Sequence, residues 1–266
     1  MSAATSTLFT QRDLNCLADP DKNTRKRALE KIHSELTALI RKRDGITAEQ
    51  AQEYQTTLLT LLLKGFKDSA EKCRELSVGI MASFLPVLPN PAPFADPTIR
   101  TIKDRLTGQP PEESEEVRLA MLQLLHGVLI RSPGAIWEIL HDIAQTVERA
   151  AIDKFPDAKK VASDIAIFLA EQDAITAPSS NPGVLPRSSL SPTPLQDYCP
   201  ALVRAFTSNL THQQQKIRLS ALQVPFRISI RFPVRIFTRL LALRRDECSG
   251  SPAPHRNPAA RTCCRA

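Results

Sequence analysis

The chain has 266 residues, 42% of them hydrophobic but only 5% aromatic, with 8 glycines and 21 prolines. Leu, Ala and Ile must do the packing, a composition that favours helix over sheet. The formal net charge of +7 sits in one place: residues 224–266 carry nine Arg, no Lys and two acids, so residues 1–223 balance 26 basic against 26 acidic side chains. A body without basic excess gives no reason to expect a nucleic-acid partner.

No run approaches the ~18 apolar residues of a membrane span, and residues 1–10 lack the basic lead and apolar core of a secretory signal. The expected location is the cytoplasm. Cysteines stand at 16, 73, 199, 248, 263 and 264, with no CxxC pair and no His at ligand spacing; reduced thiols and no metal site are the plain expectation.

In chain order, residues 8–18 form a short apolar-periodic segment that ends at Asp19 and Pro20. Residues 22–43 predict a long helix, with Ala28, Leu29, Ile32, Leu36, Leu39 and Ile40 at helical spacing and Gly45 as its stop. Thr47, Glu49 and Gln50 restart the pattern. Residues 58–85 then read as a helical hairpin: an apolar helix through Leu58–Gly65 and Phe66, a polar turn at 67–72, and a second amphipathic helix with Leu76, Ile80 and Phe84.

Five prolines at 86, 89, 91, 93 and 97 predict a connector over 86–97. A short helix follows at 96–106, a break at 108–111, and a long helix at 112–131, whose first turns hold Glu112, Glu113, Glu115 and Glu116. Residues 136–152 and 155–170 predict another pair, and 176–194 a Pro/Ser-rich loop. A last pair starts with 195–210 and continues at 215–223, where Pro225 predicts its end.

The turns align. A basic residue near the start of each second helix falls at Arg25, Arg74, Arg118, Lys159 and Arg218, at spacings of 49, 44, 41 and 59 residues. The largest contains the Pro/Ser insertion, and the others approach the ~40–47 of HEAT or armadillo units. Six residues before each basic position stand Asp19, Asp68, Glu112, Asp153 and His212; three after stand Ala28, Ser77, Met121, Ala162 and Ala221. Acid, base and small residue in register predict an all-α solenoid of about five helical hairpins, the last incomplete. The acids and bases are structural repeat positions in this reading. The organisation expected is repeats one to four over 1–175, a loop at 176–194, the start of a fifth repeat at 195–223, and an Arg-rich tail at 224–266, disordered or non-homologous.

The copies also resemble a particular family. KRALEKIHSEL at 26–36, LLTLLLKGFKDSAEKCRELSVGIM at 58–81, EEVRLAMLQLL at 115–125, DKFPDAKKVASDIAIFLA at 153–170 and ALVRAFTSNLTHQQQKIRLSAL at 201–222 resemble the HEAT-repeat dynein axonemal assembly factor 5 family, in the same order. The resemblance implies a cytoplasmic, non-catalytic scaffold that helps axonemal dynein arms preassemble for motile cilia or flagella. It also implies dynein heavy or intermediate chains, chaperones and other assembly factors as partners, and it carries over no catalytic motif and no cofactor. The alternative is a generic HEAT adaptor for transport or for a phosphatase or kinase complex. The resemblance stops after Leu222, where VPFRISIRFPVRIFTRLLALRR begins. Arg227, Arg231, Arg235 and Arg239 recur there every four residues, but Pro233 interrupts the stripe.

His33, His126, His141, His212 and His255 have no Ser or Cys partner in a recognisable arrangement, and the glycines form no phosphate loop. A structural or solvated role is expected for each histidine, and a packing role for Trp137.

Overall fold

A computed structural model describes residues 9–41, 47–176 and 194–231 of the chain, and among these residues every regular element is helical. Ten α-helices follow in order: α1 (Gln11–Cys16), α2 (Lys22–Ile40), α3 (Ala48–Gly65), α4 (Glu71–Phe84), α5 (Ala92–Thr107), α6 (Glu115–Arg131), α7 (Leu140–Ala151), α8 (Pro156–Thr176), α9 (Cys199–Thr207) and α10 (Gln215–Arg231). Their starts are chemically specified. Thr10 and Thr47 close capping boxes with Asp13 and Gln50, Asp21 accepts from Asn23 and Thr24, and Ser114 accepts from Val117.

The helices pair in sequence, α1 with α2 through α9 with α10. The even helices then pack successively, α2 on α4, α4 on α6, α6 on α8 and α8 on α10, while α3, α5, α7 and α9 form the other row. This is an all-α solenoid. One continuous apolar core runs through it, from Phe9 and Ile32 through Ile80, Leu124 and Ile165 to Val224 and Ile228. No hairpin could bury both its faces alone, so the stacking itself supplies the core.

At Ser77, three residues after Arg74, two helices approach closely. A Cβ built on Gly65, the last residue of α3, would lie 2.2 Å from Ser77 Oγ and 2.9 Å from Ser77 Cβ in α4. Ser77 returns its hydroxyl to Cys73 O, so this contact carries no orphaned polar group.

Residues 86–97 are not a simple connector. A 3₁₀ turn spans Leu85–Val87, and α5 starts at Ala92 and runs through Pro97. Pro93 falls in its first turn, where an N–H would have no helical acceptor. Burial of Phe94, Ala95, Thr98 and Ile99 holds the helix together across Pro97. Glu112 and Glu113 are not in α6, which begins at Glu115 after the Ser114 cap. The expected helix over 136–152 opens with two 3₁₀ turns, Pro133–Ala135 and Trp137–Ile139, before α7. Trp137 is partly buried against the core.

The helix expected to end at Pro225 continues to Arg231. Ile217, Ala221, Val224 and Ile228 are all buried, and α10 lies against α8. Full burial of side chains such as Val224 and Ile228 contributes about 1.5–3 kcal/mol each, comparable with the ~3 kcal/mol cost of the interior proline. α10 therefore runs across residue 223, after which the Arg-rich tail is expected to begin. The stop at Gly45, the body of the 176–194 loop, His255, three of the cysteines and the tail beyond Arg231 lie outside the described residues.

Candidate functional site

The residue types singled out in the sequence meet at the turns between paired helices. In each turn the side chain at the acid position accepts the backbone N–H two residues on. Asp19 accepts from Asp21, Asp68 from Ala70, Glu112 from Ser114 and Asp153 from Phe155, at 2.8–3.1 Å. His212 Nδ1 does the same for Gln214 at 3.2 Å. Each of these side chains thus helps to shape its own turn.

The basic residue six positions later grips the same turn. Arg25 Nη1 donates to Asp19 O and Pro20 O, Arg74 Nη1 to Asp68 O and Ser69 O, and Arg118 Nη1 to Glu112 O and Glu113 O. Arg218 Nη1 donates to His212 O and Gln213 O, both at 2.7 Å. The other edge of the guanidinium reaches forward into the next repeat. Arg25 donates to both Asp68 oxygens at 2.6 and 2.8 Å, and Arg118 to both Asp153 oxygens at 2.8 and 3.0 Å. Arg74 Nη2 donates to Glu112 Oε1 at 2.8 Å, with Nε also 2.8 Å from Oε2. Only arginine has the planar fork for both tasks at once.

Arg74 therefore pairs with the acid of the neighbouring turn, touching its own turn only through backbone oxygens. Glu112, 2% exposed, also receives Arg105 Nη2 at 2.6 Å. The fourth junction departs from the pattern. Lys159 Nζ donates not to His212 but to Asn209 Oδ1 at 2.7 Å, while Asn209 Nδ2 donates to Ala151 O. Asn209 was not evident in sequence because the 3₁₀ turn at Ser208–Thr211 shifts it three residues from the aligned register. Arg105 lay outside the repeat pattern altogether. Among the described residues no arginine of another turn reaches the Asp19 carboxylate.

The electrostatics follow from this geometry. Burial pushes the Asp68 carboxyl upward, but Arg25 and the Ala70 N–H outweigh it and hold it below the ordinary carboxylate value. For Glu112 burial again opposes, and Arg74, Arg105 and the Ser114 N–H prevail. The bond to Asp153 raises Arg118. Burial lowers Lys159, with only Asp153 opposing. Each of the inter-repeat carboxylates is committed to a guanidinium and a backbone donor, an arrangement that fixes turns and offers no poised general base.

The histidines sit elsewhere. His126 stands edge-on to Phe168 with ring centroids 6.0 Å apart, and burial lowers its pKa. His141 contacts Gln145 and, at 3.4 Å, Tyr198. Among the described residues no cluster of three His, Cys, Asp or Glu side chains has the arrangement of a metal site. Cys73 and Cys199 are buried thiols, and burial raises both, Cys199 to about 12. Two adjoining grooves of about 720 and 480 Å³ flank the 107–113 loop, sharing Leu106, Pro111, Arg149 and Ile152. No single helix among the described residues is long and apolar enough to cross a membrane.

Stacked hairpins locked turn to turn define an α-solenoid repeat protein. Residues 16–177 match the family described as dynein axonemal assembly factor 5-like, TPR repeats, and the chain belongs to that family. Its repeat spacing of 41–49 residues outside the insertion exceeds the 34 of a tetratricopeptide unit and approaches that of HEAT and armadillo units. The chain is 29% identical over 217 residues to dynein axonemal assembly factor 5 of Xenopus laevis, covering 80% of this chain and 23% of that protein. It is 26% identical to the Mus musculus protein of the same name, covering 83% of this chain and 24% of that protein. The chain thus spans about a quarter of the length of these curated relatives. A designed armadillo repeat protein in complex with a (KR)4 peptide aligns over 83% of this chain and 100% of its own, at 14% identity and TM-score 0.46.

Proposed function

We propose that this protein is a non-catalytic scaffold for the assembly of axonemal dynein, acting in the cytoplasm before the arms enter motile cilia or flagella. The observation that carries the reading is family membership over residues 16–177. It is supported by turns whose in-register arginines Arg25, Arg74 and Arg118 are spent on holding repeats together. The partners in this reading are dynein heavy or intermediate chains, chaperones and other assembly factors. They bind along the surface of the even helices, where α2 and α4 enclose a groove of about 360 Å³ containing His33, Thr37, Arg41 and Leu76.

Affinity capture of the tagged chain from ciliated or flagellated cells tests this. Dynein chains recovered together with chaperones, and lost when Ser34 and Thr37 in that groove are changed to Arg, are the expected result. Recovery of transport cargo or a phosphatase subunit without dynein chains would assign the chain to the generic adaptor class instead.

A further inference from the structure

The outer side of α10 is apolar. Leu219, Leu222 and Phe226 follow one another at helical spacing, opposite the face that Ile217, Ala221, Val224 and Ile228 bury, and they are 52%, 54% and 65% exposed. The positions equivalent to Leu222 in the earlier repeats, Leu29, Val78, Leu122 and Ser163, are all buried. At the head of this stripe Arg218 holds its own turn through His212 O and Gln213 O. Its forward edge, which in Arg25, Arg74 and Arg118 carries a carboxylate, has no such partner among the described residues. Arg227 is already paired with Glu171 at 3.7 Å, and neither α9 nor α10 contains an acid.

The chain itself continues from α10 with residues 232–247, FPVRIFTRLLALRRDE. Proline turns the residue before it away from helix and suits the first position of a new one, so Phe232 and Pro233 mark a stop and a restart. Beyond them Ile236, Leu240 and Leu243 recur at helical spacing, and Glu247 extends the same stripe by one more step. Gly250 and Pro252 bound the pattern. The lengths match. Leu222 lies nine residues before Arg231 and Leu243 ten after Pro233, each about 14–15 Å along a helix axis. Arg218 lies thirteen residues before Arg231 and Glu247 fourteen after Pro233, each about 20–21 Å.

We propose that residues 234–247 fold back antiparallel on α10 as a helix, covering Leu219, Leu222 and Phe226 and bringing Glu247 to the free edge of Arg218. The chain thereby caps its own last repeat, in place of the disordered tail that composition suggests. Charge and connectivity both select this occupant. Glu247 supplies the carboxylate that the fifth turn alone lacks, at the position where the register places it. A segment joined directly to α10 also acts at an effective concentration of about millimolar, without a second molecule. Residues 248–266, with Pro252, Pro254 and Pro258, offer no comparable apolar stripe. The inference requires only the repeat geometry and is independent of the dynein reading.

Hydrogen exchange of the full chain, read by mass spectrometry, tests this, with a synthetic peptide of residues 232–247 as the unprotected reference. Amides of residues 236–247 should exchange about tenfold or more slowly in the chain than in the peptide, and diluting the chain should not change that. Leu222→Lys, on the exposed side of α10, and separately Leu243→Lys, in the returning segment, should each remove the protection while α4 and α6 exchange as before. Glu247→Gln should reduce it about fivefold, with no further loss in combination with Arg218→Gln. Exchange of 236–247 at the peptide rate overturns the proposal and leaves the stripe to another polypeptide. Protection that both lysine substitutions leave intact overturns it too, since the segment would then be folded elsewhere. So does protection that fades on dilution, which would give the face to a second copy.

Discussion

At the scale of single residues, Glu112 holds Arg74, Arg105 and the Ser114 N–H at once. Glu112→Gln leaves two guanidiniums at a buried site without a counter-charge, and removing one partner of such a pair costs about 3–5 kcal/mol. The neighbouring Glu113 is exposed, and Glu113→Gln should change stability by no more than about 0.5 kcal/mol. Urea denaturation of the two variants separates a buried junction from general surface charge; equal midpoints would reject it. The pH dependence divides into two windows. Asp68 and Glu112 lie below their ordinary values when folded, so their contribution is complete above an unfolded carboxylate pKa of about 4 and is lost as pH falls through the folded values. His126 is lowered by burial, so it stays neutral in the fold and takes up a proton more readily when unfolded. Its penalty begins as pH drops through about 6.5, the unfolded value. The melting temperature should therefore be flat near neutrality and sag first below about 6.5. His126→Leu should remove that first decline and leave the acid one; a slope unchanged by the substitution would place its origin elsewhere.

At the scale of helices and turns, Gly65 tests how closely α3 and α4 must approach. Gly65→Ala puts a methyl group into Ser77 Oγ, and overpacking of this kind costs about 1–3 kcal/mol. Adding Ser77→Ala should recover part of the loss in a thermal melt, since the nearest atom is then gone; no recovery would mean the backbone, not the side chain, sets the separation. The apolar rhythm made the helices legible in sequence, and the recurring acid, base and small residue made the hairpins legible too. What the same rhythm does not encode is direction. Asp68 and Arg74 lie six residues apart in one turn, yet the side-chain pair is Arg25 with Asp68 and Arg74 with Glu112, because Nη1 of each arginine is already taken by its own turn's carbonyls. Asn209 was hidden for a different reason: a 3₁₀ turn changed the local register without changing composition. Proline misled twice, at Pro97 and Pro225, since a local backbone cost says nothing about the burial of Ile99 or Val224 that offsets it.

At the scale of the whole molecule, a solenoid has little besides its nearest-neighbour contacts, so stability must vary along it with the quality of each junction. The first three junctions each hold an arginine on a carboxylate of the next repeat. The fourth holds a lysine on a neutral amide, and its last helix exposes Leu219, Leu222 and Phe226 on one side. Among the described residues, apolar burial against α8 therefore carries most of the fifth repeat, beside the exposed pairs Lys216–Asp157 and Arg227–Glu171. Hydrogen exchange should be slowest in α4 and α6, which have an arginine–carboxylate junction on both sides, and fastest among the even helices in α10. Asn209→Ala removes the bonds to Lys159 and to Ala151 O. A hydrogen bond to a charged group contributes about 1.5–3 kcal/mol, so exchange in α9 and α10 should rise by roughly tenfold or more while α2 and α4 stay unchanged. Uniform protection from α2 to α10, or a loss in Asn209→Ala that spreads to α2, would instead mean that the repeats open as one cooperative body and that the junctions do not set its order of opening.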